Sequence, residues 1–345
     1  MSFSSDQIHK ISKEISSKVS GKTLFDEFSR GRYSTDASVY QIKPIGVILP
    51  KDTNDVLNIM DYSQRNSIPL LARGGGSSQC GQTVGESVVL DYSKHQNKIL
   101  ELNVEEKYVW VEPGVVLDHL NEYLKTYGLW FPVDVSTSSR ATIGGMSANN
   151  SCGSRSLYYG NMVHNVLAIE AILDDGSIFT FDQIEKNYLE KKNNQDRLYK
   201  IIDKFIDIRQ KVSSDIKDNW PTTQRRVGGY NIDLIDPNGF NSSNLLVGSE
   251  GTLSLFNKIK LKLSEIPKSK ILGVCYFNNF HQAMELAKEI VKLKPTCVEL
   301  MDQNLLNLAR EIPMYAEGIK KYIKGNPEAV LMVEFIDNEK NIYEK

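Results

Sequence analysis

The sequence predicts an α+β protein with more than one domain. Three observations carry that prediction. The chain has 345 residues, with 41% hydrophobic and 24% charged residues, the balance of an ordinary folded protein. Short β-rich runs alternate with amphipathic helical ones. The pattern then changes character near residue 270, as it would on entering a second, smaller domain.

The elements follow in order. Residues 6–29 read as an amphipathic helix and its exit, and Ile45–Leu49 as a short β-rich run closed by Pro50. In "TNDVLNIMDYSQRN", Thr53 gives an N-cap signal, and Val56, Leu57, Ile59 and Met60 supply the apolar positions of a helix. "IPLLA" is the next strand, completing a strand–helix–strand unit of about thirty residues. "SVVLDYS", "ILELN" and "YVWVEPG" read as sheet, and "VVLDHLNEYLKTYG" as helix. "VLAIEAILDDGSIFTF" reads as a hairpin turning at Asp175-Gly176. Residues 186–217 are highly charged and helical in pattern. From residue 270, "KILGVCYF", a helix, "CVELM", further helix and "AVLMVEFID" describe a separate small α+β domain. The last of these strands is expected to lack neighbours and to present an unpaired edge.

Composition excludes several classes. A net charge of −2 advertises no nucleic-acid surface. The four cysteines Cys80, Cys152, Cys275 and Cys297 form no C-x-x-C and have no zinc or iron–sulfur spacing, so they read as reduced buried thiols of a cytosolic protein. The N-terminus is polar without an apolar signal region, and no run of 18 apolar residues suggests a transmembrane span. The five histidines His9, His95, His119, His164 and His281 follow no catalytic pattern and read as structural or exposed.

Two loops carry the chemistry. "LLARGGGSSQCGQTVG", residues 70–85, holds five glycines directly after a strand. Glycines let backbone approach a ligand, and successive N–H groups form an anion-binding nest. No lysine follows as in a nucleoside-triphosphate loop, and the G-x-G-x-x-G spacing of a Rossmann turn is missing. Alone, this stretch is also compatible with a ligand-free turn. The second stretch, "VDVSTSSRATIGGMSANNSCGSRSLYYGN" at 133–161, adds backbone amides, hydroxyls and carboxamides. Two such loops together fit one polar ligand bearing a pyrophosphate and a ring system.

These loops, with "VEPGVVLDHLN" between them and "RRVGGYN" and "LLVGSEGTL" after them, resemble the flavin domain of the vanillyl-alcohol oxidase family from Tyr33 to Leu263. With "RYSTDASVY", the motifs are most similar to bacterial FAD-linked dehydrogenases of D-lactate and D-2-hydroxyglutarate, including large forms with a C-terminal iron–sulfur region. The resemblance implies three regions: an N-terminal helical segment at 1–35, a two-subdomain PCMH-type FAD-binding domain at 36–268, and the first part of a ferredoxin-like α+β cap domain at 269–345.

The resemblance also assigns residues. Arg73, Gly74, Gly75, Gly76, Ser77, Ser78, Gly81 and Gln82 would wrap the FAD pyrophosphate. Some relatives attach flavin through a histidine at the position of Ser77, which implies non-covalent FAD here. Pro132, Asp134, Ser136, Thr137, Ser138, Thr142, Gly144, Gly145, Ser147, Asn150 and Gly153 would run along the cofactor, and Tyr159 and Gly160 would close that stretch. Ile169 would lie beside the adenine, and Glu250 and Gly251 would form a turn near the cofactor, although Glu250 also suits a plain turn cap. Arg225 and Arg226 would hold a substrate carboxylate, with Tyr230 and Asn231 facing the flavin; either arginine also suits a surface ion pair.

The implied reaction is oxidation of a D-2-hydroxy acid by hydride transfer to flavin N5. Electrons then pass to a quinone, a cytochrome, an electron-transfer flavoprotein or an iron–sulfur partner, in the cytoplasm or at the inner membrane. A sugar- or alcohol-oxidising flavoprotein and a non-catalytic FAD-binding subunit are the alternatives. The family's catalytic base and metal ligands would fall beyond Lys345. A fragment, a subunit of a split enzyme and a degenerate remnant are therefore all compatible with the sequence.

Overall fold

The computed structural model describes residues 3–185, 197–223 and 225–337. The chain forms two compact units. The first comprises Met1–Phe131, Val135–Ser151 and Asn161–Ser264; the second comprises Pro132–Asp134, Cys152–Gly160 and Glu265–Lys345.

The first unit opens with α1 (Ser5–Ser16), started by a capping box between Ser4 and Gln7, with Ile11 and Ile15 buried. β1 (Lys22–Leu24), α2 (Glu27–Arg32) and β2 (Gly46–Leu49) follow. α3 (Thr53–Asn66) is capped by Asp52, one residue before the Thr53 expected in that role. The Thr53 hydroxyl instead donates to Asn257 Oδ1 at 2.7 Å. β3 (Leu70–Arg73) and β4 (Val88–Asp91) complete a sheet of order β1-β2-β4-β3. β4 runs parallel to both β2 and β3, so a third strand sits inside the strand–helix–strand unit read from the sequence. β2 and β4 are buried along their whole length, which is why their sequences are apolar without alternation. Each such Val, Ile or Leu contributes about 2 kcal/mol by leaving water. Residues 1–35 are not a separate helical segment. They supply β1 to this sheet, and the α1 isoleucines share a core with Ile48, Ile59, Val88 and Leu90.

β5 (Ile99–Asn103) and β6 (Tyr108–Val111) begin a second sheet. α4 (Leu117–Lys125), β7 (Leu129–Trp130), α5 (Ile143–Ala148), α6 (Ser156–Tyr159, in the second unit) and α7 (Met162–Asn165) come next. β8 (Val166–Ile172) and β9 (Ile178–Phe181) form the expected hairpin, turning through Gly176 at φ 81°. β10 (Gln183–Glu185), α8 (Arg197–Lys211), α9 (Ser213–Asn219), β11 (Gly239–Asn241) and β12 (Leu255–Lys262) follow. The part of the expected charged helix at 186–196 lies outside the described residues. The sheet is antiparallel, in the order β5-β6-β12-β8-β9. Its Ile172 and Leu255 reach the α1/α3 core, so one apolar core serves both sheets.

After the short β13 (Ser264–Glu265), the second unit is built on β14 (Ser269–Phe277), α10 (Phe280–Lys292), β15 (Cys297–Asp302), α11 (Gln303–Glu311), α12 (Pro313–Tyr322) and β16 (Ala329–Asp337). The sheet order is β14-β16-β15, antiparallel at both junctions. This corrects the expectation of an unpaired final strand. β16 is the central strand, and its Ala329, Val330 and Leu331 are essentially inaccessible.

Candidate functional site

The first glycine-rich loop leaves β3 and is shaped by its own first residue. The Arg73 guanidinium donates to the carbonyls of Thr35 at 2.7 Å, Thr83 at 3.0 Å and Tyr33 at 3.2 Å, and lies over the Tyr33 ring at 5.2 Å. The Tyr33 hydroxyl in turn donates to Asp91 at 2.6 Å. Burial pulls the Arg73 pKa down, against the charges of Asp91 and Asp36. Arg73 therefore ties the neck of the loop to its surroundings, and its hydrogen bonds go to backbone. A Cβ at Gly76, whose φ is +63°, would come within 2.6 Å of the Arg73 fork. Gly81, at φ +81°, is covered by Tyr40. The Ser78 hydroxyl donates to Gln82 Oε1, and Ser77 sits partly exposed beside it.

The second stretch is packed directly on the first. A Cβ on Gly74 would lie 2.0 Å from Thr142 Oγ1, and one on Gly75 would lie 2.2 Å from the Arg140 carbonyl. Only glycine allows this approach. Thr142 is the N-cap of α5, its hydroxyl accepting from Gly145 N at 3.3 Å. A Cβ on Gly144 would collide with Pro113. Thr137 O accepts from the amides of Arg140 and Ala141, and Ser138 O from Asp118 N, while Ser136 is exposed. The Ser147 hydroxyl donates to Ile143 O, so this side chain is committed inside α5.

A turn at 248–251 joins both loops. Gly248 N donates to Ser147 O and Glu250 N donates to Ala148 O, each at 2.9 Å. The Glu250 carboxylate accepts from Gln82 Nε2 at 3.1 Å. Gly251 is exposed at φ +78°. The hydroxyls of Ser249 and Ser254 are buried and have no hydrogen-bond partner. Close-packed glycine backbone with unsatisfied hydroxyls nearby fits a polar, phosphate-bearing ligand such as a flavin dinucleotide.

"RRVGGYN" is more structural than the sequence implies. Arg226 donates to Asp233 at 2.6 Å and lies over the Trp220 ring at 4.9 Å. Asn231 is buried, its amide donating to Val247 O at 2.7 Å and Asn244 O at 3.3 Å, with Asn150 at 3.5 Å. Asn150, at φ +50°, accepts from Val163 N. Tyr230 is half-exposed, and its hydroxyl is 2.8 Å from that of Thr252. Arg225 is exposed. Burial and the Arg226 charge hold His164 below the usual imidazole range. Ile169 is fully buried in the middle of β8, where its side chain packs in the core and offers no polar group to a ligand.

Five of the expected cofactor residues, Pro132, Asp134, Gly153, Tyr159 and Gly160, belong to the second unit. There Arg155 makes a two-pronged pair with Glu334, Nε–Oε1 2.7 Å and Nη2–Oε2 2.8 Å, and a third bond to Asp134 Oδ2 at 2.9 Å. Asp134 Oδ1 also accepts Arg155 N at 3.0 Å. The Arg155 bond holds Glu334 below the usual carboxylate range, while burial outweighs Arg155 at Asp134 and raises it. A Cβ on Gly153 would meet the Asp134 carbonyl at 2.0 Å. Gly160 has φ +78°. Burial pushes Tyr159 up to about 12. Sequence reading missed Tyr33, Thr35, Thr83, Arg155, Asp233 and Glu334. The signal for Tyr33 and Thr35 lay in "RYSTD", recognisable as a motif but without a visible target.

The glycine cradle on a mixed sheet, followed by a small α+β unit, suits a protein that binds a phosphate-bearing cofactor. Residues 44–182 match the FAD binding domain family and residues 266–345 match the C-terminal domain of FAD linked oxidases. Both matches are to domains of FAD-dependent proteins, and the cofactor is FAD. It is 34% identical over 323 residues to D-2-hydroxyglutarate dehydrogenase of Haemophilus influenzae, covering 89% of this chain and 31% of that protein. Against D-2-hydroxyglutarate dehydrogenase of Escherichia coli the identity is 32% over 339 residues, covering 94% and 33%. The glycolate oxidase subunit GlcD of Bacillus subtilis is 29% identical, covering 95% and 59%. The chain thus spans about a third of the length of the D-2-hydroxyglutarate dehydrogenases it matches. A solved alkyldihydroxyacetonephosphate synthase shares the fold with a TM-score of 0.66 at 17% identity, over 95% of this chain and 56% of that one. No helix among the described residues is long and apolar enough to cross a membrane.

Proposed function

We propose that this chain is the FAD-holding part of a dehydrogenase of D-2-hydroxy acids, with D-2-hydroxyglutarate or D-lactate as substrate. The observation that carries the reading is the contact of Gly74 and Gly75 with Thr142 and Arg140, which sets two glycine-rich loops edge to edge. Bound FAD supplies the electron sink for oxidation of a hydroxy acid. The chain's residues bind and orient. Backbone N–H groups around Gly74–Ser78 meet the pyrophosphate charge, with Arg73 fixing the loop's shape rather than spending its fork on phosphate. The hydroxyls of Ser249 and Ser254 are free to turn toward a polar group of the cofactor. Ser77 stands where covalent relatives carry histidine, so FAD is held non-covalently. Arg225 and Arg226 are the residues to meet a substrate carboxylate, with Arg226 oriented by its pair with Asp233, and Tyr230 faces the flavin. The electron acceptor is a quinone, a cytochrome, an electron-transfer flavoprotein or an iron–sulfur partner, reached in the cytoplasm or at the inner membrane surface.

Purified protein should be yellow, and acid precipitation should release the colour to the supernatant. Gly75→Asp should remove it, because the new side chain meets the Arg140 carbonyl and sets a carboxylate against the pyrophosphate. In the full-length protein, anaerobic D-2-hydroxyglutarate or D-lactate should bleach the flavin band. Retained flavin in Gly75→Asp would overturn the placement of the loop, and a flavin that neither acid bleaches would overturn the substrate class.

A further inference from the structure

Glu250 is a non-glycine residue in the left-handed region, at φ +49°. Its neighbours Gly248 and Gly251 also have positive φ, at +83° and +78°, and there the chain uses glycine, the residue that tolerates it. A glutamate at this position is conformationally unfavourable, and it is also exposed, so no core packing compensates. Its side chain is engaged in one contact. The carboxylate accepts from Gln82 Nε2 at 3.1 Å, and Gln82 Oε1 accepts from the Ser78 hydroxyl. Ser78 Oγ also accepts from Cys80 N at 3.3 Å. The Glu250 backbone is meanwhile fixed to α5 through Ala148 O. One residue therefore bridges the turn at 248–251, the second stretch and the far side of the first loop.

We infer that Glu250 is a positioning residue, a latch that acts through Gln82 to hold the first glycine-rich loop closed on the phosphates of FAD. The inference rests on the FAD reading above. It goes beyond it by assigning Glu250 to the loop rather than to the cofactor. The latch sets how long FAD stays. With the Glu250–Gln82–Ser78 chain intact, the loop is ordered before the cofactor arrives, and it must open for the cofactor to leave.

The experiment compares FAD release with the thermal melting of FAD-free protein in the wild type, Glu250→Gly, Glu250→Gln, Gln82→Ala and the double variant Glu250→Gly/Gln82→Ala. Release is followed by the rise of free-flavin fluorescence on dilution. Glu250→Gly relieves the backbone strain, so the FAD-free protein should melt at the same or a higher temperature while FAD leaves about tenfold faster, the effect of one charge-assisted hydrogen bond. Gln82→Ala should speed release to a similar degree, and the double variant should be no faster than either single one. Glu250→Gln keeps an oxygen acceptor and should stay within about threefold of wild type.

A purely structural role predicts that melting and release move in the same direction, and that result overturns the latch. Unchanged release in Glu250→Gly, or additive effects in the double variant, also overturns it. A wild-type protein that binds no FAD would instead overturn the FAD reading itself, so the two failures are distinguishable.

Discussion

Arg73 and Arg155 are both partly buried arginines that hold a loop, one in each unit, and they do so by different chemistry. Arg73 donates to three backbone carbonyls and stacks on Tyr33. Arg155 donates to two carboxylates and lies in the middle of an ionic triad with Asp134 and Glu334. A carbonyl staple is set by shape. It needs the planar fork to reach several acceptors at fixed angles, and salt or pH barely touches it. An ionic triad is set by charge, so it responds to proton and salt concentration. The first glycine-rich loop is thus built to keep its form, and the 152–160 stretch is tied by a contact that solution conditions can tune.

Substitutions should separate the two. The largest effect is expected for Arg73→Ala. It strips partners from three carbonyls at once and should destabilise the first unit by about 3 kcal/mol, measured by urea unfolding. Arg73→Lys should recover little of this, because a single ammonium cannot span the three acceptors. Arg155→Ala comes next, at about 2 kcal/mol, since the pairs are partly exposed and two carboxylates lose their counter-charge. Arg155→Lys should recover roughly half. Equal rescue at both positions would erase the distinction. Raising salt should shrink the Arg155→Ala effect and leave the Arg73→Ala effect unchanged.

A smaller effect concerns pH. Glu334 is held below its ordinary value of 4.5, so its contribution is fully present above that pH and is lost as pH falls through the lower folded-state value. Asp134 is raised from 3.8 and acts with the opposite sign, losing its contribution as pH rises above that value. Glu334→Gln should therefore flatten the acid limb of the second unit's stability profile below about pH 4.5. An acid limb identical to wild type would mean that the triad is not what holds the stretch.

Much of the fold was legible in the sequence because local patterns report local physics. "GVIL" and "VVL" are apolar without alternation because β2 and β4 are covered on both faces. The glycines at 74 and 75 stood out as a place of close backbone approach; the sequence pointed to a ligand there, and the structure sets Thr142 and Arg140 against them. The roles of Arg73, Arg226 and Asn231 were not legible. A guanidinium or carboxamide that binds a ligand and one that binds the chain's own backbone or an aspartate are the same letter in sequence. The second unit's claim on 132–134 and 152–160 was equally hidden, because the Arg155–Glu334 pair joins residues 179 positions apart. The central place of β16 was missed for a related reason: strand order in a sheet is a long-range property, and "AVLMVEFID" reads the same at an edge or in the middle.

The place of β16 also orders events in time. Its two neighbours, β14 and β15, precede it in the chain and pair with it on either side. During synthesis, which runs from the N-terminus, those strands emerge with nothing to hydrogen-bond, and the sheet cannot close until Asp337 has left the ribosome. Loop closure over such separations is slow, and the waiting strands expose open edges in the interval. The second unit is therefore expected to fold in a late, single step, after the glycine-rich cradle of the first has already formed.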